Sequence, residues 1–298
     1  MKIPGRVPFA LGLTLGMVLF ATVSARSAAP AGPGPQPSLP SPQPVLASHK
    51  ALYTVTMTNA RSGGEYLDVS GKMLLQFTDA CDGWTTSQKS LLRSLLADGT
   101  EELSNSDFTS WESKGGDSYT FSVKQVDGND VTEFRGRAKR QGPNGAGVAE
   151  YTKPERKTYK LPPHFFFQTA QQIKLLEIAN KGERFFNGQM FDGSEGGGAS
   201  QFNAVILKSA IPVKLGIKSS LLDSPSHRVR IAFYSPEGVT PSGGDGGKAA
   251  ADTSEQPEYE MTMTVHDNGV VSDYDYQYEE FSIHGQLEAI QPMPTPHC

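Results

Sequence analysis

The chain is poor in the residues that most often carry chemistry. It has two cysteines in 298 residues, Cys81 and Cys298. No C-x-x-C pair is present, which excludes the usual zinc and thiol-redox motifs. The six histidines are His49, His164, His227, His266, His284 and His297. No two of them stand four apart on a helical pattern, and none belongs to H-E-x-x-H. Metal ligation needs several converging donors. These histidines therefore read as surface or hydrogen-bonded side chains, and no metal or other cofactor is expected. There is no G-x-S-x-G elbow to expose a nucleophilic serine. The run Gly196-Gly197-Gly198 is not followed by a strand-to-helix phosphate cradle. No catalytic constellation stands out, and the chain reads as a non-enzyme. Cations are scarce as well: 27 Lys and Arg face 32 Asp and Glu, for a net charge of −5. An acidic chain lacks the basic surface that nucleic acid or anionic lipid headgroups demand.

The N-terminus has the three parts of a signal peptide over residues 1–25. Lys2 and Arg6 are the positive start, Val7 to Val23 is uncharged and mostly apolar, and Val23-Ser24-Ala25 offers small residues at a cleavage site. The apolar stretch contains Pro8, Gly12 and Gly16 and falls short of the roughly 20 residues of a membrane span. Cleavage is favoured over retention as an anchor, and neither cysteine is placed for lipidation at the cut. The mature chain is expected in the periplasm and not across the membrane. Removing two cations and no anions takes the charge from −5 to −7. Residues 26–46 form a Pro-rich linker, in which alternate prolines cannot pair in a sheet or start a helix. Residues 47–298 form the body.

That body alternates with period two. Leu67, Val69, Gly71, Met73, Leu75 and Phe77 share one face of a strand. Tyr53, Val55 and Met57 follow the same rule, as do Tyr119, Phe121 and Val123, then Val229, Ile231 and Phe233, then Tyr259, Met261, Met263 and Val265. Turn signals separate the runs, among them Asp127-Gly128-Asn129-Asp130 and Asp267-Asn268-Gly269. About a dozen strands result, and so many must close, spiral or split to hide their edges. The expected fold is mostly β: a single large antiparallel sheet, spiral-like or an open barrel, with one or two α-helices. The firm helix follows Pro162-Pro163. It opens with the capping box Thr169-Ala170-Gln171-Gln172, continues with Ile173, Leu175, Leu176 and Ala179, and stops at Gly182. Leu91, Leu92, Leu95 and Leu96 repeat with helical period, although Trp84 to Gln88 reads as strand. Residues 236–257 are low in complexity and read as an exposed loop inside the body.

Three groups remain as site candidates. In an oxidising compartment an even cysteine count favours a disulfide over two free thiols. A Cys81–Cys298 bridge would close most of the body into one loop. Asp192 and Glu195 lie on the turn Phe191-Asp192-Gly193-Ser194-Glu195. They read as solvated turn carboxylates, with a glycosidase pair as the alternative. Arg135, Arg137 and Lys139 share a strand face in the one basic stretch. They read as a solvated face, with docking of an anionic envelope polymer or lipid phosphate as the alternative.

Several stretches taken together carry a resemblance. They are His49-Lys-Ala-Leu-Tyr53, Gly71-Lys-Met running to Cys81-Asp-Gly-Trp84, Lys160-Leu-Pro162, Phe191-Asp-Gly-Ser-Glu195, Asn268-Gly-Val270, Phe281-x-Ile-x-Gly285-x-Leu287 and the terminal Cys298. In this order the body resembles the EipB family of cell-envelope integrity proteins. The resemblance implies a spiral-like β-sheet, two helices, a Cys81–Cys298 disulfide and a periplasmic role in envelope integrity. It also implies strand where Arg93 to Leu96 looks helical. It names no activity and no partner, which leaves an envelope protein, peptidoglycan or a lipid component open. Two rival classes stay in view: an envelope-polymer hydrolase or transferase, and a periplasmic lipid carrier.

Overall fold

A computed structural model describes residues 44–207, 216–234, 257–294, 296 and 298. The signal peptide, most of the linker and all but the last residue of the 236–257 segment lie outside the described residues.

Eight strands come first: β1 (His49–Ala60), β2 (Tyr66–Asp79), β3 (Gly83–Leu96), β4 (Glu101–Ser113), β5 (Ser118–Asp127), β6 (Asp130–Arg140), β7 (Gly147–Lys153) and β8 (Lys157–Leu161). The short β9 (Phe166–Phe167) runs into helix α1 (Gln168–Asn180). Then follow β10 (Phe185–Phe191), β11 (Ser200–Ile206), β12 (Ser226–Tyr234), β13 (Tyr259–His266), β14 (Val271–Gln277) and β15 (Phe281–Pro292). All fifteen strands belong to one sheet, ordered β8 to β1, then β15 back to β9. Sequence neighbours pair antiparallel, except that β9 lies parallel to β10 across the helix. β1 pairs with β15, so the two ends of the domain meet in mid-sheet.

The free edges are β8 and β9, which follow each other in the chain. They are not joined by a strand ladder. Instead the sheet winds over its own end. Tyr119 on β5 donates its hydroxyl to the carbonyl of Asp192, just after β10, at 3.1 Å. Tyr151 on β7 reaches the carbonyl of Glu195 at 2.5 Å. Strands far apart in the sheet order thus come face to face, which makes the open sheet a spiral. This is the expected class, with fifteen strands among the described residues where about a dozen were expected, and one α-helix among them, accompanied by a 3-10 turn at Ser220–Leu222.

One ambiguous stretch resolves to strand, and one local expectation fails. The leucines at 91, 92, 95 and 96 lie on β3, which is paired along its length with β2 and β4. Pairing on both sides overrides a local helical period. Leu91 is 50% exposed while Leu96 is buried. The apolar face of β2 is also incomplete, because Leu67 is 55% exposed. A register shift between Tyr66 and Asp68 against β3 makes Leu67 the extra residue of a bulge and turns it outward.

The interior has two main lobes and a small third cluster of Val55, Val69 and Ile283. The larger is mainly aliphatic and gathers Leu175, Leu176 and Ile178 of α1 with Ala51, Tyr53, Phe202, Val229, Ile231, Met263 and Leu287. The smaller is aromatic, built from Tyr119, Phe121, Tyr151, Phe165, Phe167 and Phe191 with Ala138, Ala149, Leu161 and Ala199. Gly285 of β15 shows how tight the larger lobe is in places: a Cβ there would stand 2.0 Å from the Tyr274 ring.

Candidate functional site

Helix α1 lies inside the spiral and covers the larger lobe. Its start departs from the expected capping box. The helix begins at Gln168 after Phe167, with no side-chain cap from Phe167 itself. The first turn of any helix leaves amides without partners. Here Glu112 of β4 takes two of them. Its Oε2 accepts from the Thr169 amide at 2.6 Å and its Oε1 from the Ala170 amide at 2.8 Å. A carboxylate also suits the positive end of the helix dipole. Gln172, read as reaching back to the cap, instead donates to the carbonyl of Gly269 at 2.9 Å. Glu112 is 1% exposed. Burial pushes its pKa up to about 7, against the pull of the two amides, the Thr169 side chain and the Arg140 charge. Arg140 of β6 points inward, donates to the Phe165 carbonyl at 2.8 Å and lies over the rings of Phe165 and Phe167. At the other end Gly182 takes φ +76° and its amide bonds Ala179, as the sequence suggests.

Beneath α1 lies a cavity of about 230 Å³. Its walls come from strands that are distant in sequence: Tyr53 of β1, Met73 of β2, Met190 of β10, Met261 and Met263 of β13, and Tyr276 of β14. Period two accounts for β1, where His49, Ala51, Tyr53 and Val55 all face inward and are buried. Polar groups also line the cavity, among them His49, Thr86, Gln88, Gln168, Gln171 and Asp192. His49 is 2% exposed, and its Nδ1 lies 2.7 Å from the carbonyl of Ala47. A carbonyl only accepts, so Nδ1 carries the proton and Nε2 presents a lone pair. Burial lowers the pKa of this imidazole, which keeps it neutral. Gln171 is 6% exposed on the helix face toward the cavity. Tyr276 is held up at about 12, by burial first and then by the charge of Asp192.

The candidates named from sequence fall in three separate places. Cys81 and Cys298 are joined, which ties the end of the chain to the β2–β3 turn. Asp192 and Glu195 are not on a solvated turn. The loop after β10 is tucked inside the spiral end, where Gly193 takes φ +74° and a Cβ would stand 2.4 Å from the Phe121 ring. Asp192 Oδ1 accepts from the amide and hydroxyl of Ser194 at 2.9 and 2.7 Å. Glu195 sits in a small recess beside the cavity with Asp192 and Glu258. Burial, then those two carboxylates, pushes its pKa to about 8. The solvated reading fails because β5 and β7 fold over this turn. Arg135, Arg137 and Lys139 are exposed together on the outer face of β6, away from the cavity. Arg135 pairs with Glu133 at 3.3 Å and Arg137 with Glu150 at 2.7 Å.

Sequence reasoning passed over His49, Gln171 and Glu112. His49 had a signal: the inward phase of Tyr53 and Val55, extended back through Ala51, lands on it. Gln171 was taken only as part of a cap. Glu112 had no local signal, since its partners lie 57 and 58 residues away.

The comparisons with known proteins are consistent with this architecture. The sequence profile of the family described as EipB-like matches residues 40–294. A protein of Brucella abortus named cell envelope integrity protein EipB is 25% identical over 259 residues, covering 84% of this chain and 85% of its own. The crystal structure of a beta-barrel-like protein with a domain of unknown function, also from Brucella abortus, superposes with a TM-score of 0.73 at 23% identity. That match covers 84% of this chain and 99% of the other.

Proposed function

The chain belongs to the EipB-like family, and from that premise we propose that it supports cell-envelope integrity from the periplasm as a non-enzymatic binding protein. The observation that carries the binding half is the cavity of about 230 Å³ under α1, lined by methionines and tyrosines around a few polar groups. A pure scaffold has no use for such a space, since interiors otherwise pack to crystal density. The name of the Brucella abortus relative supports the envelope half. The disulfide fits an oxidising compartment. The outer face of β6, with Arg135, Arg137 and Lys139, is then the surface for docking on an anionic envelope component.

The test is rescue of a deletion strain challenged with detergent. Val271→Phe and Met261→Phe each add bulk at the cavity wall. Either variant, if folded with an unchanged melting profile, should fail to rescue. Full rescue by both folded variants would remove the cavity from the function.

One observation favours a second reading. A buried carboxyl held at about 8 beside Asp192 has the proton at neutral pH that a general acid needs. An envelope-polymer hydrolase would lose most of its rate in an Asp192→Ala, Glu195→Ala double variant. The binding reading expects that variant, once shown to fold, to rescue.

A further inference from the structure

Three polar atoms at the cavity have no hydrogen-bond partner among the described residues: His49 Nε2, Gln168 Oε1 and Gln171 Nε2. His49 and Gln171 are both more than nine-tenths buried. Burying a polar group without a partner costs about 1–3 kcal/mol, so two such groups on residues that line one cavity are costly unless something bonds them. They also differ in kind. His49 Nε2 accepts, because Nδ1 donates its proton to Ala47. The Gln171 amide nitrogen donates. The rest of the wall is mixed: Tyr53, Met73, Met263 and Phe77 give it an apolar part, and Thr86, Gln88 and Asp192 are polar.

We propose that this cavity takes a neutral amphiphile, an alkyl chain or ring bearing a hydroxyl, with His49 and Gln171 holding the hydroxyl. The inference rests on the binding reading above and names its ligand class. A hydroxyl donates to His49 Nε2 and accepts from the Gln171 amide nitrogen. An ionised carboxylate offers acceptors only and faces the His49 lone pair unfavourably. Asp192 on the same wall further disfavours an anion. Size sets a bound. An apolar cavity of about 150 Å³ takes up benzene. In proportion, a cavity of about 230 Å³ holds roughly nine non-hydrogen atoms, the size of an eight-carbon alcohol.

The probes are therefore 1-octanol, octanoate and octane, added to the purified mature protein and followed by calorimetry and melting temperature. Octanol should bind and raise the melting temperature. Octanoate and octane should each bind at least about tenfold more weakly, the weight of one net hydrogen bond. His49→Leu and Gln171→Leu should each lower octanol affinity about tenfold and leave octane binding unchanged. The two variants test one another, should either fail to fold. Equal binding of all three probes, or octanol affinity unmoved in both folded leucine variants, overturns the hydroxyl assignment. Binding by none of them shows that the polar atoms serve water only and overturns the ligand inference. Neither result touches the rescue experiment, which judges the cavity's part in the function by itself.

Discussion

The two lobes of the interior solve the same packing problem in opposite ways. The aromatic lobe is filled ring against ring: Phe167 stacks on Tyr119 at 4.9 Å between centroids, Phe121 meets Tyr151 edge-on at 4.9 Å, and Phe165 meets Phe167 at 5.1 Å. Tyr119 and Tyr151 bond the carbonyls of the tucked loop, and the one unpartnered polar atom against these rings among the described residues is Arg140 Nε. The helix-covered lobe keeps a cavity and leaves His49 and Gln171 short of partners. It is held by other means, a disulfide at the β2–β3 turn and the Glu112 anchor on α1. The contrast teaches that one sheet can divide its interior into a part filled ring against ring and a part that keeps a cavity.

The disulfide is the largest lever on that contrast. A loop spanning a sequence separation of 217 residues is worth up to about 5 kcal/mol in the chain-entropy account. Cys81→Ser and Cys298→Ser should each lower the melting temperature markedly, and the double variant should be no worse than either single one. Additive losses in thermal unfolding would show that the two thiols act apart.

Truncation compares the lobes directly. Phe167→Ala empties a fully buried, stacked site and should cost about 3–5 kcal/mol in urea unfolding. Met261→Ala enlarges an existing cavity at a partly buried position and should cost about 2 kcal/mol or less, at the foot of the range for such changes. Equal costs would erase the distinction between a filled and an open half.

Acidity probes the polar anchor of each lobe. Glu112 is raised from 4.5 to about 7 and Glu195 from 4.5 to about 8. Both carboxyls hold a proton more tightly folded than unfolded. Stability from them is therefore full below about 4.5 and is lost as pH rises to about 7 for Glu112 and about 8 for Glu195. At about 1.36 kcal/mol per pKa unit, the full loss is on the order of 3 kcal/mol for Glu112 and 5 kcal/mol for Glu195. Glu112→Gln should reduce the slope between about 4.5 and 7, and Glu195→Gln should reduce it over the same range and remove it between about 7 and 8, measured as unfolding free energy against pH. A curve that climbs with pH in both wild type and variants would refute the raised values.

The smallest effect belongs to a segment that serves neither lobe by composition. Deleting Gly243 to Ser254 removes glycine, alanine and polar residues and should change stability by less than about 1 kcal/mol, since loop entropy varies slowly with length. A larger loss in chemical denaturation would mean that this segment packs on one of the lobes.

The same division separates what was legible from what was not. The alternation of Tyr53, Val55 and Met57 places β1, the Asn268-Gly269 turn places the β13–β14 hairpin, and Gly182 marks the end of α1. Each is a signal within a few residues. The Leu91–Leu96 stretch misled because its local period is helical, and only its pairing with β2 and β4 decides for strand. Asp192 and Glu195 were chosen for their spacing. Their burial comes from β5 and β7, which lie on the far arm of the spiral.

By itself the sequence determined the class of the molecule: a period-two body, one helix with its stop, and two cysteines with no other partner. These rest on short-range sterics and on the alternation of side chains across a strand. The tertiary structure alone decided that β1 closes against β15, that Glu112 holds a helix whose first amides lie 57 and 58 residues away, and that His49 and Gln171 line one cavity. Those outcomes depend on which edges of the sheet find each other. No local period encodes that choice, because it is set by the summed register of fifteen strands and by the shape left when their inner faces pack.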